Sequence, residues 1–228
     1  MNLSTRTFPG AIPGTGPGVT LFDYHRSSAS YRVRIALNLK GIAWASVPIN
    51  LLASEQLSDA HRARNPQGQV PMLEIDGLRL IQSLAIIDYL DATRPDPPLI
   101  PRDPAARAQV MAQALVIVAD THPIGNMRFI RQLTDQFGAD EAAKTLWRQQ
   151  SMALGLSALE ALAVQTGHDG PFLGGDAPNL ADICLVPQLY NARRFDLPLE
   201  AYPRLVEADA AAAALAAFAD AHPDRFTP

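Results

Sequence analysis

Cysteine is all but missing from this chain: Cys184 stands alone in 228 residues. A single thiol builds no internal disulfide framework, and such poverty in cysteine suits a reducing compartment, the cytoplasm. Dithiol redox chemistry is excluded because the cysteines it requires are absent. A basic excess is missing too. The formal net charge is −4, which argues against a nucleic-acid partner. No apolar run approaches the roughly 20 residues of a membrane helix, so no membrane association is expected. The first twenty residues, MNLSTRTFPGAIPGTGPGVT, lack the apolar core of a signal peptide. The histidines, at positions 25, 61, 122, 168 and 222, show no ligand spacing, and no metal site is expected. Lysine is scarce, at positions 40 and 144 only, so arginine carries the positive charge. Arginine grips carboxylates with a planar fork where lysine offers a point charge.

What is present divides into four stretches. Residues 1–18 are rich in Gly, Pro and Thr and read as a disordered arm. Residues 19–97 alternate strand and helix patterns: VTLFDYH, a helix to Lys40 with Gly41 as its C′ residue, WASVPIN, the short helix EQLSDAHRAR, then PMLEI and LRLI. Asp76 and Gly77 between the last two form a strong two-residue hairpin signal, and SLAIIDYLDATR closes the domain as a helix. The order β-α-β-α-β-β-α makes one mixed sheet carrying helices. Residues 98–104 are a proline-rich linker. Residues 105–228 show almost no strand pattern and read as an all-helical domain, ending in the strongly helix-favouring EADAAAAALAAFADA. Within it, Asn179 and Asp182 read as a capping box, Pro187 as a helix kink and Cys184 as a core thiol.

Three motifs in residues 19–97 point to one chemistry. In RSSAS, Ser27 and Ser28 precede Ser30, itself an N-cap or early helical residue, at the head of the first helix. Unpaired N–H groups and partial positive charge make such an end an anion site, although all three serines also suit capping. In QVPMLEIDG, Val70 precedes a proline at a strand start, where a cis bond would turn its backbone outward for an extended peptide to pair with. In IQSLAII, Gln82 and Ser83 open a further helix whose N-terminus suits a carboxylate, or an ordinary cap.

The stretches RSSASYRVRIALNLKGI, VPINL, NPQGQVPMLEIDG, IQSLAIIDYL, TRPDPPLIPRDP, HPIGN and NLADICLVPQLYNARRFDL resemble the zeta-class glutathione transferases, the family of maleylacetoacetate and maleylpyruvate isomerases. The matches run from about Leu21 to Arg204. The resemblance implies an α/β thioredoxin-like N-terminal domain followed by an all-α C-terminal domain, with glutathione as cofactor and a homodimeric assembly. It implies that Ser27 contacts the glutathione sulfur, with Ser28 and Arg26 beside it as further catalytic candidates. Gln56, Val70, Gln82 and Ser83 would hold the peptide, and His122 and Asn126 would reach it from the helical domain. Arg26, Arg128 and Arg194 would bind a small anionic cis-unsaturated keto acid; periodicity alone leaves Arg193 and Arg194 undecided, and the resemblance favours Arg194. The chain departs from eukaryotic members at Ala29, where they carry cysteine.

The activity so implied is cis–trans isomerisation in aromatic catabolism, on the tyrosine–homogentisate or the gentisate route. Thiolate addition turns the double bond into a freely rotating single bond, and elimination returns the glutathione. Two alternatives stand beside it. One is a transferase acting on other small electrophiles such as α-halo acids, for which Ala29 leaves room. The other is a non-catalytic scaffold that keeps the fold for protein binding.

Overall fold

A computed structural model describes residues 6–7 and 18–227. The chain forms two units: one takes in residues up to Leu99 together with the segment from Leu215 onward, the other spans Ile100–Ala214.

The first unit holds strands β1 (Arg6–Thr7), β2 (Thr20–Asp23), β3 (Ala45–Pro48), β4 (Met72–Ile75) and β5 (Leu78–Ile81), in the order β1-β3-β2-β4-β5. Strands β2 and β3 run parallel, and the other pairs are antiparallel. The expected disordered arm lies outside the described residues except at Arg6–Thr7 and Gly18. There Arg6 and Thr7 instead pair with Ser46 and Ala45 on the outer edge of β3. An edge strand offers a row of unpaired backbone groups to any passing segment, which accounts for this short addition. The hairpin joining β4 to β5 turns at Asp76 and Gly77, both with positive φ (52° and 76°). Two successive positive φ values are what a type I′ turn demands, hence the Asp-Gly pair.

Helix α1 (Ser28–Leu39) packs on the sheet beside α3 (Ser83–Thr93), while a 3-10 turn (Glu55–Leu57) and α2 (Asp59–Arg62) occupy the β3–β4 connection. Leu21, Met72, Leu73 and Ile75 from the strands meet Val33, Ile35, Leu37, Ile86, Ile87 and Leu90 from the helices in a closed core. Helix α1 is so fully covered that Arg32 and Arg34 are buried with it. A buried charge requires a partner. Arg34 has Asp23 at 2.8 Å and also donates to the carbonyls of His25 and Ala221.

That last bond belongs to a departure from the sequence expectation. The alanine-rich run near the C-terminus is no single helix of a helical domain. It breaks at Leu215, in extended conformation, between α8 (Pro203–Ala213) and α9 (Ala216–Ala219), and the part beyond joins the first unit. Tertiary partners override propensity here: Asn38 donates to the Ala217 carbonyl, and Phe226 stacks on Trp44 at 5.6 Å between centroids.

The second unit contains α4 (Pro104–Leu115), a π-helical turn (Val116–Thr121), a 3-10 turn (Pro123–Gly125), α5 (Met127–Phe137), α6 (Glu141–Thr166), α7 (Leu180–Arg194) and α8. Helix α7 is buried from Leu180 to Leu189 and runs without interruption through Pro187; Cys184 lies inside this core. Its N-terminus carries the expected box: the Asn179 side chain accepts from the Ala181 N–H, and Asp182 accepts from the Asn179 N–H at 2.9 Å. Asp182 also accepts from the N–H of Leu173 at 2.8 Å, tying the preceding loop to the same carboxylate.

Gly155 lets α6 approach the π-helical turn. A Cβ there would stand 1.8 Å from Thr121 Oγ1, a hydroxyl already bonded to the Val116 carbonyl. Gly155→Ala is therefore expected to destabilise the protein by about 1–3 kcal/mol, despite the roughly 1 kcal/mol that helix propensity returns. A thermal melt tests this: a variant melting at or above wild type would mean that the turn yields freely.

Candidate functional site

The registers of the sheet gather the sequence candidates of the first unit at one end. Phe22 faces Met72 across β2 and β4, and Met72 faces Ile81 across β4 and β5. Strands β2, β3 and β5 therefore finish where β4 begins. Ser27 and Arg26 follow β2, Gln56 follows β3, Val70 precedes β4, and Gln82 and Ser83 follow β5. All six sit at that end.

Ser27, not Ser30, is the N-cap of α1, and its Oγ accepts from the Ser30 N–H at 3.2 Å. Ser28 and Ser30 lie in the first turn and are buried, while Ser27 is partly exposed and Arg26 is exposed. Capping and ligand contact do not compete at Ser27. A hydroxyl has one proton to donate besides its acceptor lone pairs, and capping uses only a lone pair. An acceptor such as a thiolate can take the O–H, beside the partial positive charge of the helix end.

Val70 is held by the segment before it. The Gln69 carbonyl accepts from Asn65 Nδ2 and from His61 Nε2, each at 2.8 Å, so the buried His61 carries its proton on Nε2. Gly68, with φ of +63°, runs against the backbone of Gln56, and the Val70–Pro71 bond is cis. The Gln56 side-chain oxygen is buried without a hydrogen-bond partner. At α3, Gln82 occupies the N-cap with φ of +68° and no side chain caps the helix. Gln82 Nε2 donates instead to Gln67 Oε1 at 2.8 Å, which joins α3 to the Val70 segment. Ser83 is the first helical residue and is buried; its Oγ accepts from Arg32 Nε at 3.1 Å. Uncapped N–H groups at α3, an orphaned acceptor on Gln56 and a proton to spare on Ser27 fit a peptide with a carboxylate and a thiol.

In the second unit, His122 and Asn126 bracket the 3-10 turn and Arg128 stands in the first turn of α5. Asn126 holds the N-cap position of α5, yet its side chain makes no capping bond. Helix α6 ties this turn to the end of α7: Trp147 Nε1 donates to the Ile124 carbonyl at 3.1 Å, and Gln149 Nε2 to the Phe195 carbonyl at 2.8 Å. His122, Asn126 and Arg194 are thereby held in one region of this unit. Arg193 is committed to Asp209, 2.7 Å away, whereas Arg194 lies over the Phe195 ring. Arg128 is exposed, over Phe129.

Sequence reasoning missed four residues that pack around these groups. Arg32 anchors Ser83 from another helix, and a residue 51 positions away gives no local sign. His61 and Asn65 had a readable signal, the i, i+4 spacing of two polar residues ahead of NPQGQV. Arg148, in LWRQQ, lies between the two tethering residues of α6 with its guanidinium over Phe195, and nothing in its neighbourhood of sequence marks it.

A small mixed sheet bearing two long helices, with a cluster of polar groups at the sheet end where those helices begin, is the arrangement expected of the N-terminal domain of a glutathione transferase. Residues 21–98 match the N-terminal domain of glutathione S-transferases, and residues 145–208 match the C-terminal domain. The chain is 50% identical to the maleylacetoacetate isomerase of Rhizobium meliloti, over 91% of this chain and 97% of that one. It resembles a solved bacterial zeta-class maleylpyruvate isomerase at 43% identity with a TM-score of 0.88, covering 90% of this chain and 96% of that one. It also resembles the maleylacetoacetate isomerase of Anaeromyxobacter dehalogenans, solved with glutathione in its active site, at 46% identity with a TM-score of 0.81 (91% and 95% covered). The same enzyme has also been solved with dicarboxyethyl glutathione and citrate there. The chain belongs to the zeta-class glutathione transferases, the family of maleylacetoacetate and maleylpyruvate isomerases.

Proposed function

We propose that this protein is a glutathione-dependent cis–trans isomerase of maleylacetoacetate or maleylpyruvate. The observation that carries the reading is the likeness to isomerases of that kind along nearly their whole length. Glutathione, when bound, supplies a thiolate nucleophile towards a conjugated double bond. A free thiol has a pKa of roughly 8.5, so a donor that favours the anion enriches it at neutral pH. Ser27 donates that hydrogen bond while capping α1. The uncapped α3 N-terminus takes a carboxylate of the peptide, with the Ser83 hydroxyl and Gln82 beside it. The Val70 backbone pairs with its extended chain, and Gln56, His122 and Asn126 complete the grip. Arg26, Arg128 and Arg194 hold the carboxylates of the keto acid and offset the charge that develops on its conjugated carbonyl.

The single cysteine and the acidic balance support a cytoplasmic enzyme without nucleic-acid partners. Among the described residues no helix is long and apolar enough to cross a membrane. The family resemblance supports a homodimer.

The test is to follow maleylpyruvate and maleylacetone by absorbance with and without reduced glutathione, while assaying total thiol and sedimentation of the active species. Turnover that requires glutathione, leaves total thiol constant and travels at two chain masses is the expected result. Net consumption of thiol would replace isomerisation with conjugation, the outcome Ala29 leaves open. No glutathione binding at millimolar concentration would leave only a scaffold.

A further inference from the structure

Arg148 differs from Arg193 and Arg204, two other arginines of the second unit. Arg193 is paired with Asp209, and Arg204 spends its fork on the carbonyls of Gly170, Pro171 and Phe172. Arg148 is half-buried, and it makes no hydrogen bond or ion pair among the described residues; its Nε is buried without a partner. Its Cζ lies 4.6 Å from the centroid of Phe195, and the Cζ of Arg194 lies 5.0 Å from the same centroid. The acid that acts on it is Glu141, which is exposed and ion-paired to Lys144. Burial, and then the charge of Arg194, hold the Arg148 guanidinium below its usual range, although it stays protonated. The positive charge of Arg194 thus acts against that of Arg148 beside the same ring. Structure maintains the arrangement regardless: Trp147 and Gln149, on either side of Arg148, fasten α6 to the His122–Asn126 turn and to Phe195.

We propose that Arg148 is a carboxylate-binding residue of the substrate site, forming with Arg194 a two-guanidinium clamp, braced on Phe195, for one end of a small dicarboxylate. The inference rests on the isomerase reading for the identity of the substrate and on the geometry of the second unit for the clamp itself. The Phe195 ring holds both guanidinium groups in place, so little side-chain freedom is lost when the anion arrives. An incoming carboxylate relieves the repulsion between them and takes charge-assisted hydrogen bonds from both. Arg194 alone would hold a carboxylate; the pair selects for dianions over neutral electrophiles.

The experiment titrates maleate, a cis-dicarboxylate with no ketone to react through, by calorimetry into the full chain saturated with reduced glutathione. Wild type is compared with Arg148→Gln, Arg148→Lys, Arg194→Ala and the double variant Arg148→Gln/Arg194→Ala. Arg148→Gln is expected to raise the maleate Kd about 10- to 100-fold, the worth of a hydrogen bond to a charged group. It should leave the glutathione Kd unchanged and the melting temperature equal or higher, since a repelling charge is removed. Arg148→Lys should recover part of the affinity, and the double variant should lose less than the two single losses combined. A maleate Kd within twofold of wild type in Arg148→Gln overturns the proposal. So does a lowered melting temperature with unchanged maleate affinity, which would leave only packing on Phe195, and so does a wild type that binds no maleate. Turnover of maleylpyruvate by wild type is scored separately. If it is absent while Arg148→Gln still loses maleate affinity, the clamp stands and the isomerase reading falls.

Discussion

Asp182→Ala lowers the stability of the protein by about 2–4 kcal/mol at pH 7, read as a fall of roughly 10 °C in Tm. The carboxylate accepts the N–H groups of Asn179 and Leu173 inside the second unit, and alanine leaves both donors buried and unsatisfied. Part of that loss is offset because the ionised carboxylate is itself uncomfortable. Burial pushes its pKa up to about 6, against the pull of the backbone N–H groups at Asn179 and Leu173. The consequence has a definite sign. The unfolded chain releases this proton near 3.8 and the folded one near 6, so the contribution to stability is fullest below 3.8 and is lost as pH rises through 6. Asp182→Asn, which cannot titrate, lacks this dependence. The stability gap between wild type and Asp182→Asn should therefore widen by about 1 kcal/mol on going from pH 7 to pH 5. Chemical denaturation at the two pH values measures it. A gap that narrows on acidification would show that the two N–H groups hold the carboxyl below its ordinary range.

The second large effect is at Ser27, and it separates two roles of one hydroxyl. Ser27→Ala removes the cap of α1, worth about 1 kcal/mol, and the O–H proposed to favour the thiolate. Turnover should fall on the order of 10²-fold, in line with the loss of one preorganised donor to a developing anion. Glutathione should still bind, since the α3 end and the Val70 segment are intact. Ser27→Gly is the control, because glycine caps within a few tenths of a kcal/mol of serine. If kcat stays low in Ser27→Gly while stability returns, the hydroxyl acts on the ligand. If kcat returns with stability, Ser27 does no more than cap. The ultraviolet absorbance of the thiolate gives a reading independent of turnover: its titration midpoint with bound glutathione should rise in both variants.

Legibility in the sequence followed the range of the forces involved. Asp76-Gly77 announced its hairpin because a type I′ turn makes a demand that few residues meet, and that demand is local. Gly41 marked the end of α1 for the same reason, with φ of +63°. The sheet-end cluster was legible because Ser27, Val70, Gln82 and Ser83 each open an element, and openings carry their own residue preferences. The rest was decided by partners far along the chain. Nothing in EADAAAAALAAFADA says that Leu215 must leave the helix. Asn38 and Trp44, which hold the segment beyond Leu215, belong to the far end of the chain. Ser27 rather than Ser30 as N-cap turned on a register of three residues that both readings satisfied. Arg148 sits on a long helix whose exposed positions carry many polar residues. Only the approach of Phe195, from the end of another helix, distinguishes it.

The hydrogen bond from Arg34 to the Ala221 carbonyl also fixes an order of events in synthesis. A ribosome finishes the strands and the two long helices of the first unit well before it reaches residue 215. Through the whole making of the intervening helices, the Arg34 Nε lacks its Ala221 acceptor, and Trp44 lacks the ring that will stack on it. The first unit emerges early yet waits for the segment from Leu215 onward, which is translated only after the whole of the second unit. The residues of the second unit, by contrast, form one unbroken stretch, Ile100–Ala214, and leave the exit tunnel in succession.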